Sequence, residues 1–168
     1  MTISLYTASV PVLVRALSNL SGVLDKAVAH AEARKIDPAV LLNSRLYPDM
    51  FALARQVQIA SDNAKGGAAR LAGVQPPKYE DNEASFAELQ ARLEKTIAYL
   101  NTFTPEQIDG SEEREVVLTL RSGELKFVGL NYLLGYLLPN FFFHMTTAYA
   151  ILRHNGVELG KRDFLGKF

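Results

Sequence analysis

The stretch PNFFFHMTTAYAILRHNG, residues 139–156, decides the fold because it predicts the last long helix of the chain. Aromatic and aliphatic residues fill most of it, and Gly156 supplies a stop signal. Pro139 either kinks a longer helix that begins near Leu130 or starts a new helix. The stretch also carries His144 inside an apolar run and His154 ten residues later, which raises the question of a metal site.

An apolar run overlaps the start of this stretch and approaches the length of a membrane span. The run, residues 127–143, contains Asn131, Pro139 and Asn140 and lacks basic flanks on one side, which favours a pair of buried helices. The N-terminus has no cationic segment before an apolar core and no small-residue cleavage site, so it does not resemble a signal peptide. We therefore expect a cytoplasmic protein without a membrane partner.

The composition indicates one domain, residues 1–168, because 168 residues suffice to bury a sizeable core. Lys and Arg together number 18, as do Asp and Glu. The chain therefore lacks the excess of positive charge with which proteins neutralise phosphates, and we expect no nucleic-acid partner. Cysteine is absent, which excludes disulfides, thiolate nucleophiles and Cys-ligated zinc.

Three further long helices are predicted upstream, each from apolar residues that recur every three or four positions. Asp49 is predicted to cap the second of them, and Thr104-Pro105 to close the third. Gly66-Gly67 weakens the second helix, so we expect close packing against a neighbour there. The apolar positions are Leu13, Leu17, Leu20, Leu24 and Val28 in the first helix; Leu53, Val57, Ala60, Ala64 and Leu71 in the second; and Phe86, Leu89, Leu93, Ile97 and Leu100 in the third.

Shorter elements connect the long helices. Asp37-Pro38 is typical of a capped helix start and predicts a short helix through Leu42. The segment 73–82 reads as a loop because of its glycine and two prolines. The segment 114–129 carries β-branched and apolar residues on both sides of Ser122-Gly123, which predicts a β-hairpin. This hairpin either lies over the bundle or pairs with another chain, since two strands alone are marginally stable.

The C-terminal tail, residues 156–168, is mixed in charge and contains four large apolar residues. A disordered tail is expected to contain fewer of them. We therefore predict that the tail packs back across the bundle or contacts a second subunit. The apolar residues are Leu159, Phe164, Leu165 and Phe168.

Three phrases carry a resemblance to a known family: residues 4–27, residues 49–73 and residues 135–166. They resemble the DinB/YfiT-like superfamily, and within it the uncharacterised bacterial family called domain of unknown function nineteen-ninety-three. The resemblance covers nearly the whole chain. It implies an all-α fold, a DinB-like four-helix bundle with a short β-hairpin inserted before the last helix. It also implies a homodimer, because members of the superfamily are often dimers.

Metal-binding members of the superfamily offer one histidine from the second helix and an HxxxH pair from the last. Residues four apart share a helix face, so two imidazoles can reach one ion. The resemblance puts His144 at the second position of that pair, but the first position holds Asn140. The second helix presents Gln56 and Gln58 where a histidine is expected, with Asp62 on the same face. We therefore predict that the metal site is absent and that no cofactor is bound.

The remaining histidines do not rebuild such a site. His144 and His154 are separated by about 15 Å of helical rise and about 80° of rotation, so they cannot bind one ion. His30 reads as a solvated surface histidine. His144 has three readings: a partly buried side chain hydrogen-bonded to Asn140 or to a glutamine of the second helix, a polar anchor at the floor of a pocket, or a true metal ligand.

Two classes of function follow, together with a structural homodimer that binds no ligand. The first class is a ligand-binding bundle without a metal, in which aromatic residues either line a cavity or fill the core. The second is a metal-dependent transferase or hydrolase with a remodelled site around His144 that holds zinc or nickel. The sequence identifies no catalytic residue and leaves open whether the protein is an enzyme. The candidate pocket residues are His144, Asn140, Gln56, Gln58, Asp62 and Tyr149.

Overall fold

Four long helical segments pack into a bundle in the computed structural model, which describes residues 3–120 and 123–167. A two-stranded antiparallel hairpin precedes the last long segment, as the sequence predicts. The elements in chain order are α1 (Leu5–Arg34), α2 (Pro38–Leu42), α3 (Leu53–Leu71), α4 (Phe86–Leu100), α5 (Pro105–Ile108), β1 (Glu115–Leu120), β2 (Gly123–Val128), α6 (Gly129–Tyr132), a π-helical segment (Leu133–Leu137), α7 (Leu138–His154) and α8 (Lys161–Leu165).

Helix α1 forms one wall of the core. Ser4 caps its start through a hydrogen bond from the Thr7 backbone N–H, and Lys35 ends it in the left-handed conformation. Its predicted stripe is buried, except that Val28 is only half-buried. By length and composition α1 could cross a membrane, and 44% of its most apolar window is buried within the protein. The core helix of a bundle has the same properties.

Helix α3 lies at the centre of the bundle, between α7 and α4. The predicted cap at Asp49 is wrong: the helix begins at Leu53 after Ala52, which makes no side-chain capping bond. The connection before it bends back, so that the Leu53 backbone N–H donates to the Ser44 carbonyl instead. The predicted inner face of α3 is fully buried. Close packing is confirmed at Gly67, because a Cβ atom there would lie 2.4 Å from the side chain of Leu137.

Helix α4 begins at a capping arrangement in which the Ser85 side chain accepts from the Glu88 backbone N–H. It ends at Leu100, so the prediction that Thr104-Pro105 closes it is wrong. Thr104 instead precedes the short helix α5, and Pro105 occupies its first turn, where the missing N–H costs nothing. The predicted start of α2 is confirmed, with Asp37 accepting from the Ala39 backbone N–H.

The hairpin pairs Glu115 with Val128 and Leu120 with Gly123. The prediction of the two strands is confirmed, while Ser122 of the predicted turn lies outside the described residues. The hairpin lies against the bundle through Phe127. The centroid of its ring lies 5.8 Å from that of Tyr132 and 5.3 Å from that of Tyr136. Both ring pairs are tilted, a geometry that aromatic rings favour at such distances. These contacts give the hairpin a packing partner, which two strands alone lack.

The last long segment runs from Gly129 to His154 and confirms the reading of one longer helix interrupted near Pro139. Proline lacks the N–H that an α-helix would bring to the Gly135 carbonyl, and the π-helical segment lies in the preceding turn. Gly156 follows the helix with φ of 89°, a conformation that favours glycine.

The C-terminal tail packs back onto α1, as predicted, although Phe168 lies outside the described residues. Asn19 donates through Nδ2 to the Phe164 carbonyl at 3.0 Å. Lys26 forms an ion pair with Asp163 at 2.7 Å. The tail is thereby attached to α1 by a hydrogen bond and an ion pair.

Candidate functional site

His144 of α7 faces α3, where Gln56 meets it. The imidazole Nδ1 and the Gln56 Oε1 are 2.7 Å apart. Gln56 donates through Nε2 to the Phe51 carbonyl at 3.1 Å, which leaves its Oε1 as an acceptor. The hydrogen atom between the two side chains therefore belongs to Nδ1, and Nε2 of a neutral imidazole keeps a free acceptor lone pair. This pairing agrees with the interpretation of a buried histidine held by a glutamine.

The surroundings of His144 favour its neutral form. The residue is 9% exposed, and burial lowers the pKa of the imidazole below its usual value of 6.5. The positive charge of Arg55 lowers that pKa further. The ring of Phe143 contacts the imidazole edge-on at 5.2 Å. His144 is therefore an uncharged polar group at neutral pH, with one defined tautomer.

A second amide contact lies beside the first along the same two helices. Asn140 donates through Nδ2 to the Asn63 Oδ1 at 2.9 Å. The Nδ2 of Asn63 is buried and has no hydrogen-bond partner among the described residues. We call these four side chains, Gln56, Asn63, Asn140 and His144, the amide ladder. The two residues that align with the histidine pair of metal-binding superfamily members, Asn140 and His144, thus hydrogen-bond to amides of α3.

Two other predicted pocket residues, Gln58 and Asp62, face a different neighbour. Gln58 donates through Nε2 to Glu83 at 2.9 Å, and Asp62 pairs with Arg92 of α4 at 2.7 Å. Arg92 is only 3% exposed. It also pairs with Asp81 at 3.0 Å and with Glu83 at 2.9 Å, both from the loop before α4.

Further groups complete this cluster. Arg92 donates through Nε to the Ser61 hydroxyl at 3.1 Å and through Nη1 to the Glu80 carbonyl at 3.0 Å. Arg55 pairs with Asp81 at 2.5 Å, and Lys65 pairs with Asp62 at 2.5 Å. We call Arg55, Asp62, Lys65, Asp81, Glu83 and Arg92 the Arg92 network. Its three cations and three carboxylates balance, so each buried charge has a partner.

Tyr79 covers the outer side of the Arg92 network. Its ring lies 4.5 Å from the Lys65 Nζ, 4.2 Å from the Lys95 Nζ and 5.4 Å from the Arg92 guanidinium carbon. Burial raises the pKa of the Tyr79 phenol, which keeps it uncharged. The negative face of an uncharged aromatic ring attracts cations, so Tyr79 helps to hold the loop against α3 and α4.

Tyr149, the sixth predicted pocket residue, contacts the C-terminal tail. Its ring packs edge-on against Phe164 of α8 at 5.8 Å. The six predicted residues are therefore divided among three places: His144, Gln56 and Asn140 in the amide ladder, Gln58 and Asp62 at the Arg92 network, and Tyr149 against the tail. The structure does not bring them together as one pocket.

The donor set around His144 does not fit the three-histidine metal site that the resemblance implies. The described residues contain no group of three or more His, Asp or Glu side chains able to hold an ion. The Nδ1 of His144 is hydrogen-bonded to the side-chain oxygen of Gln56, and the side chain of Asn140 is hydrogen-bonded to Asn63. The carboxylate of Asp62, the one acid among the predicted pocket residues, pairs with Arg92 and Lys65. Amide groups are weak ligands for zinc and nickel.

An apolar groove lies on the outer side of α7, one turn from His144. It has a volume of about 450 Å³ and is lined by Leu46, Phe142, Phe143, Thr146, Thr147 and Ala150. Phe143 is 57% exposed and Leu46 is 40% exposed. The groove therefore lies between the connection that follows α2 and the helix that carries His144.

Sequence reasoning missed Asn63 and Arg92. Asn63 stands seven residues after Gln56, two helical turns along the same face, and that spacing was the available signal. Arg92 stands next to Leu93 of the apolar stripe, a position where an arginine must find buried partners. Two of its carboxylate partners, Asp81 and Glu83, come from the loop before α4, which has no regular period.

The fold and these contacts define a DinB-like helical bundle. A model of the family described as Domain of unknown function (DUF1993) matches residues 5–165, and the chain belongs to this family. The chain is similar to a DinB family member protein from Shewanella denitrificans, whose crystal structure superimposes on it with a TM-score of 0.90. The two sequences are 42% identical, and the match covers 98% of this chain and 93% of the other. A search of curated proteins found no match.

Proposed function

We propose that this protein binds a small, largely apolar ligand in the groove beside α7 and holds no resident metal ion. The apolar groove supports the ligand-binding part of the proposal. The observation that carries the metal-free part is the hydrogen bond between the His144 Nδ1 and the Gln56 Oε1. It occupies one nitrogen of His144, the one histidine that aligns with the metal ligands of metal-binding superfamily members. It also fixes the imidazole as a neutral acceptor through Nε2.

The groove has the chemistry of a small-molecule site. Most of its lining is apolar or aromatic, and the hydroxyls of Thr146 and Thr147 supply a few polar groups. Small-molecule sites combine such a lining with a few polar groups that orient the ligand. Phe143 contacts both the groove and the His144 ring, so a bound ligand lies next to the amide ladder. A ligand with an aromatic body and one O–H donor fits this arrangement.

Ligand binding is tested with 2-naphthol as the probe, followed by saturation-transfer NMR. We expect binding to the wild type and at least about a fivefold weaker affinity for Phe143→Ala, since one aromatic contact is worth about 1 kcal/mol. Leu134→Ala is the matched control, because Leu134 is 56% exposed and lies outside the groove. Equal weakening by both substitutions, or no binding to the wild type, contradicts the proposal.

Metal binding is tested by elemental analysis of protein purified without an affinity tag, with wild type and His144→Ala side by side. We expect far less than one zinc, nickel or iron per chain in both proteins. The reason is that the amide ladder offers one imidazole and no carboxylate. A stoichiometric metal that is lost in His144→Ala overturns the proposal and favours the alternative, a remodelled metal site around His144.

We propose in addition that the protein is a cytoplasmic homodimer. Apolar side chains on the hairpin and on α8 support a subunit contact there, because Val117, Leu125 and Leu165 are between 37% and 41% exposed. Light scattering after size exclusion tests it: we expect a dimer for the wild type and a monomer for Leu125→Lys. A monomeric wild type contradicts the proposal.

A further inference from the structure

A second groove lies where the end of α1 meets the segment after α7. It has a volume of about 410 Å³. Lys26, His30 and Arg34 of α1 line it, and their spacing of four residues places them on one helix face. Gly156 and Glu158 form the facing wall. The groove therefore contains three basic side chains and one carboxylate.

The basic groups differ in how they are paired. Lys26 is held by Asp163 of α8 at 2.7 Å. In the part of the chain that the structure describes, His30 and Arg34 take part in no ion pair, and neither does Glu158. Unpaired guanidinium and imidazole groups beside a groove favour an anionic ligand, because a guanidinium binds carboxylate or phosphate through two parallel hydrogen bonds.

Gly156 keeps the groove open next to His30. A Cβ atom at this position would lie 3.6 Å from the His30 Cε1, so any side chain larger than alanine's would reach into the space beside the imidazole. Its φ of 89° also disfavours every residue with a side chain. The stop signal of α7 therefore serves the groove as well as the helix end.

We propose that this groove binds a small molecule that carries an oxyanion, a phosphate or a carboxylate group, with Arg34 as the principal contact and His30 as the second. The proposal concerns a site separate from the groove beside α7 and does not depend on it. Glu158 repels the anion from the facing wall, and Asp163 weakens the contribution of Lys26 by pairing with it. The groove therefore binds anions with moderate strength, and removal of either acid strengthens binding.

A purely structural account of Arg34 is that its charge stabilises the C-terminal end of α1, where the helix dipole is negative. That account predicts an effect of Arg34→Ala on stability alone. It predicts no effect of Glu158→Gln on anion binding. The two variants together therefore distinguish a binding site from a helix-end interaction.

The test is a titration of the full-length protein with inorganic phosphate and, separately, with succinate, at low ionic strength, followed by amide chemical shifts in NMR. We expect Arg34→Ala to weaken binding about tenfold, the effect of losing one charge-assisted contact. Glu158→Gln and Asp163→Asn each strengthen it about two- to threefold, because each removes a partly solvated negative charge. Stronger binding of phosphate than of succinate identifies a phosphate ligand, and the reverse identifies a carboxylate.

The control is Arg153→Ala, which removes an exposed cation from the last turn of α7 without changing the groove lining. We expect it to leave anion binding unchanged. An equal loss in Arg34→Ala and Arg153→Ala overturns the proposal, because it reveals only a general attraction to positive charge. Unchanged affinity in Glu158→Gln, or no binding of either anion to the wild type, overturns it too. A gain of affinity in Glu158→Gln cannot arise from misfolding.

Discussion

Helix α3 has two regions of polar side chains that pair with a neighbouring helix, and the two regions differ in the kind of pair that they form. Towards α7, the amide ladder pairs uncharged groups, Gln56 with His144 and Asn63 with Asn140. Towards α4, the Arg92 network pairs full charges, with Arg92 meeting three carboxylates. Both regions bury polar side chains beside a helix whose remaining faces are apolar.

This difference determines how readily each region can rearrange. Removing one partner from a buried charge cluster leaves charges without compensation, which costs several kcal/mol. A network of that kind fixes the loop before α4, and its six charged side chains pair with one another. An amide ladder is cheaper to rearrange, since a neutral hydrogen bond contributes about 1 kcal/mol. The amide ladder also retains unused capacity at the His144 Nε2 and the Asn63 Nδ2.

The largest expected effect is in the Arg92 network. Arg92→Ala leaves Asp62, Asp81 and Glu83 without their shared cation, and we expect a loss of about 3 kcal/mol in the free energy of unfolding. Urea denaturation measures it. Lys95→Ala is the matched control, because Lys95 reaches only the outer face of Tyr79 and is exposed, and we expect a change below about 0.5 kcal/mol. Similar losses in the two variants would show that the network is not a buried charge cluster.

The next effect concerns how closely α3 approaches the π-helical segment. In Gly67→Ala the new methyl group meets Leu137 at 2.4 Å, and we expect a loss of about 2 kcal/mol from overpacking. Gly22→Ala in α1 is the control, since a Cβ atom there meets nothing within 4 Å. We expect that variant to gain about 0.5–1 kcal/mol from helix propensity. Thermal denaturation of both variants provides the measurement, and a gain in both contradicts the close packing.

A smaller effect separates the two glutamines of α3. Gln56→Ala leaves the His144 Nδ1–H without its acceptor, and we expect a loss of about 1–2 kcal/mol. Gln58→Ala leaves Glu83 still paired with Arg92, so we expect a loss of about 0.5 kcal/mol. Urea denaturation of both variants ranks them. The reverse ranking would mean that Gln58 and not Gln56 supports the buried polar contacts.

The smallest expected effects are those of pH on the free energy of unfolding. The amide ladder and the Arg92 network should respond in different pH ranges. The unfolded His144 takes up a proton near pH 6.5, whereas burial lowers the pKa of the folded imidazole. Between the pKa of the folded state and that of the unfolded state, the unfolded state binds more protons. The free energy of unfolding therefore falls as the pH decreases below about 6.5. Denaturation midpoints measured between pH 7.5 and pH 5 detect the loss, and we expect it to be absent in His144→Gln.

The Arg92 network responds at lower pH. Burial tends to raise the pKa of Asp81, but the hydrogen bond and charge of Arg55 and the charge of Arg92 outweigh it, so the pKa lies below its usual 3.8. The stabilisation by the Asp81 carboxylate is therefore complete above that value and is lost as the pH falls below it. We expect Asp81→Asn to flatten the decrease in stability below pH 4, while His144→Gln leaves that decrease unchanged.

The long helices were predictable from sequence because their apolar residues follow the helical period. The stripes of α1, α3 and α4 lie in the core almost residue for residue, and Asp37-Pro38 marks the start of α2. Where one signal was ambiguous, the prediction was wrong. Asp49 has the residue type of a cap, but it does not cap α3. The backbone N–H of Leu53, the first residue of α3, donates instead to the backbone carbonyl of Ser44.

The candidate site was predictable only in part. The contact between His144 and Gln56 follows from their positions in a bundle whose second and last long helices are neighbours. The separation of Gln58 and Asp62 from that contact was missed, although each residue of an α-helix is rotated by about 100° from the one before it, which turns Gln58 and Asp62 away from the face of Gln56. Only the packing of α4 and its preceding loop determines which neighbour each polar residue of α3 meets.

The sequence by itself determined the helical class, the hairpin before the last helix, the family, and the lack of a second histidine four residues from His144. Local periodicity and residue identity contain that information. The tertiary structure decided which polar groups share a partner: His144 with Gln56, Asp62 with Arg92, and the basic face of α1 with the turn at Gly156. These contacts join residues far apart in the chain, so they depend on how the helices pack and not on any local pattern.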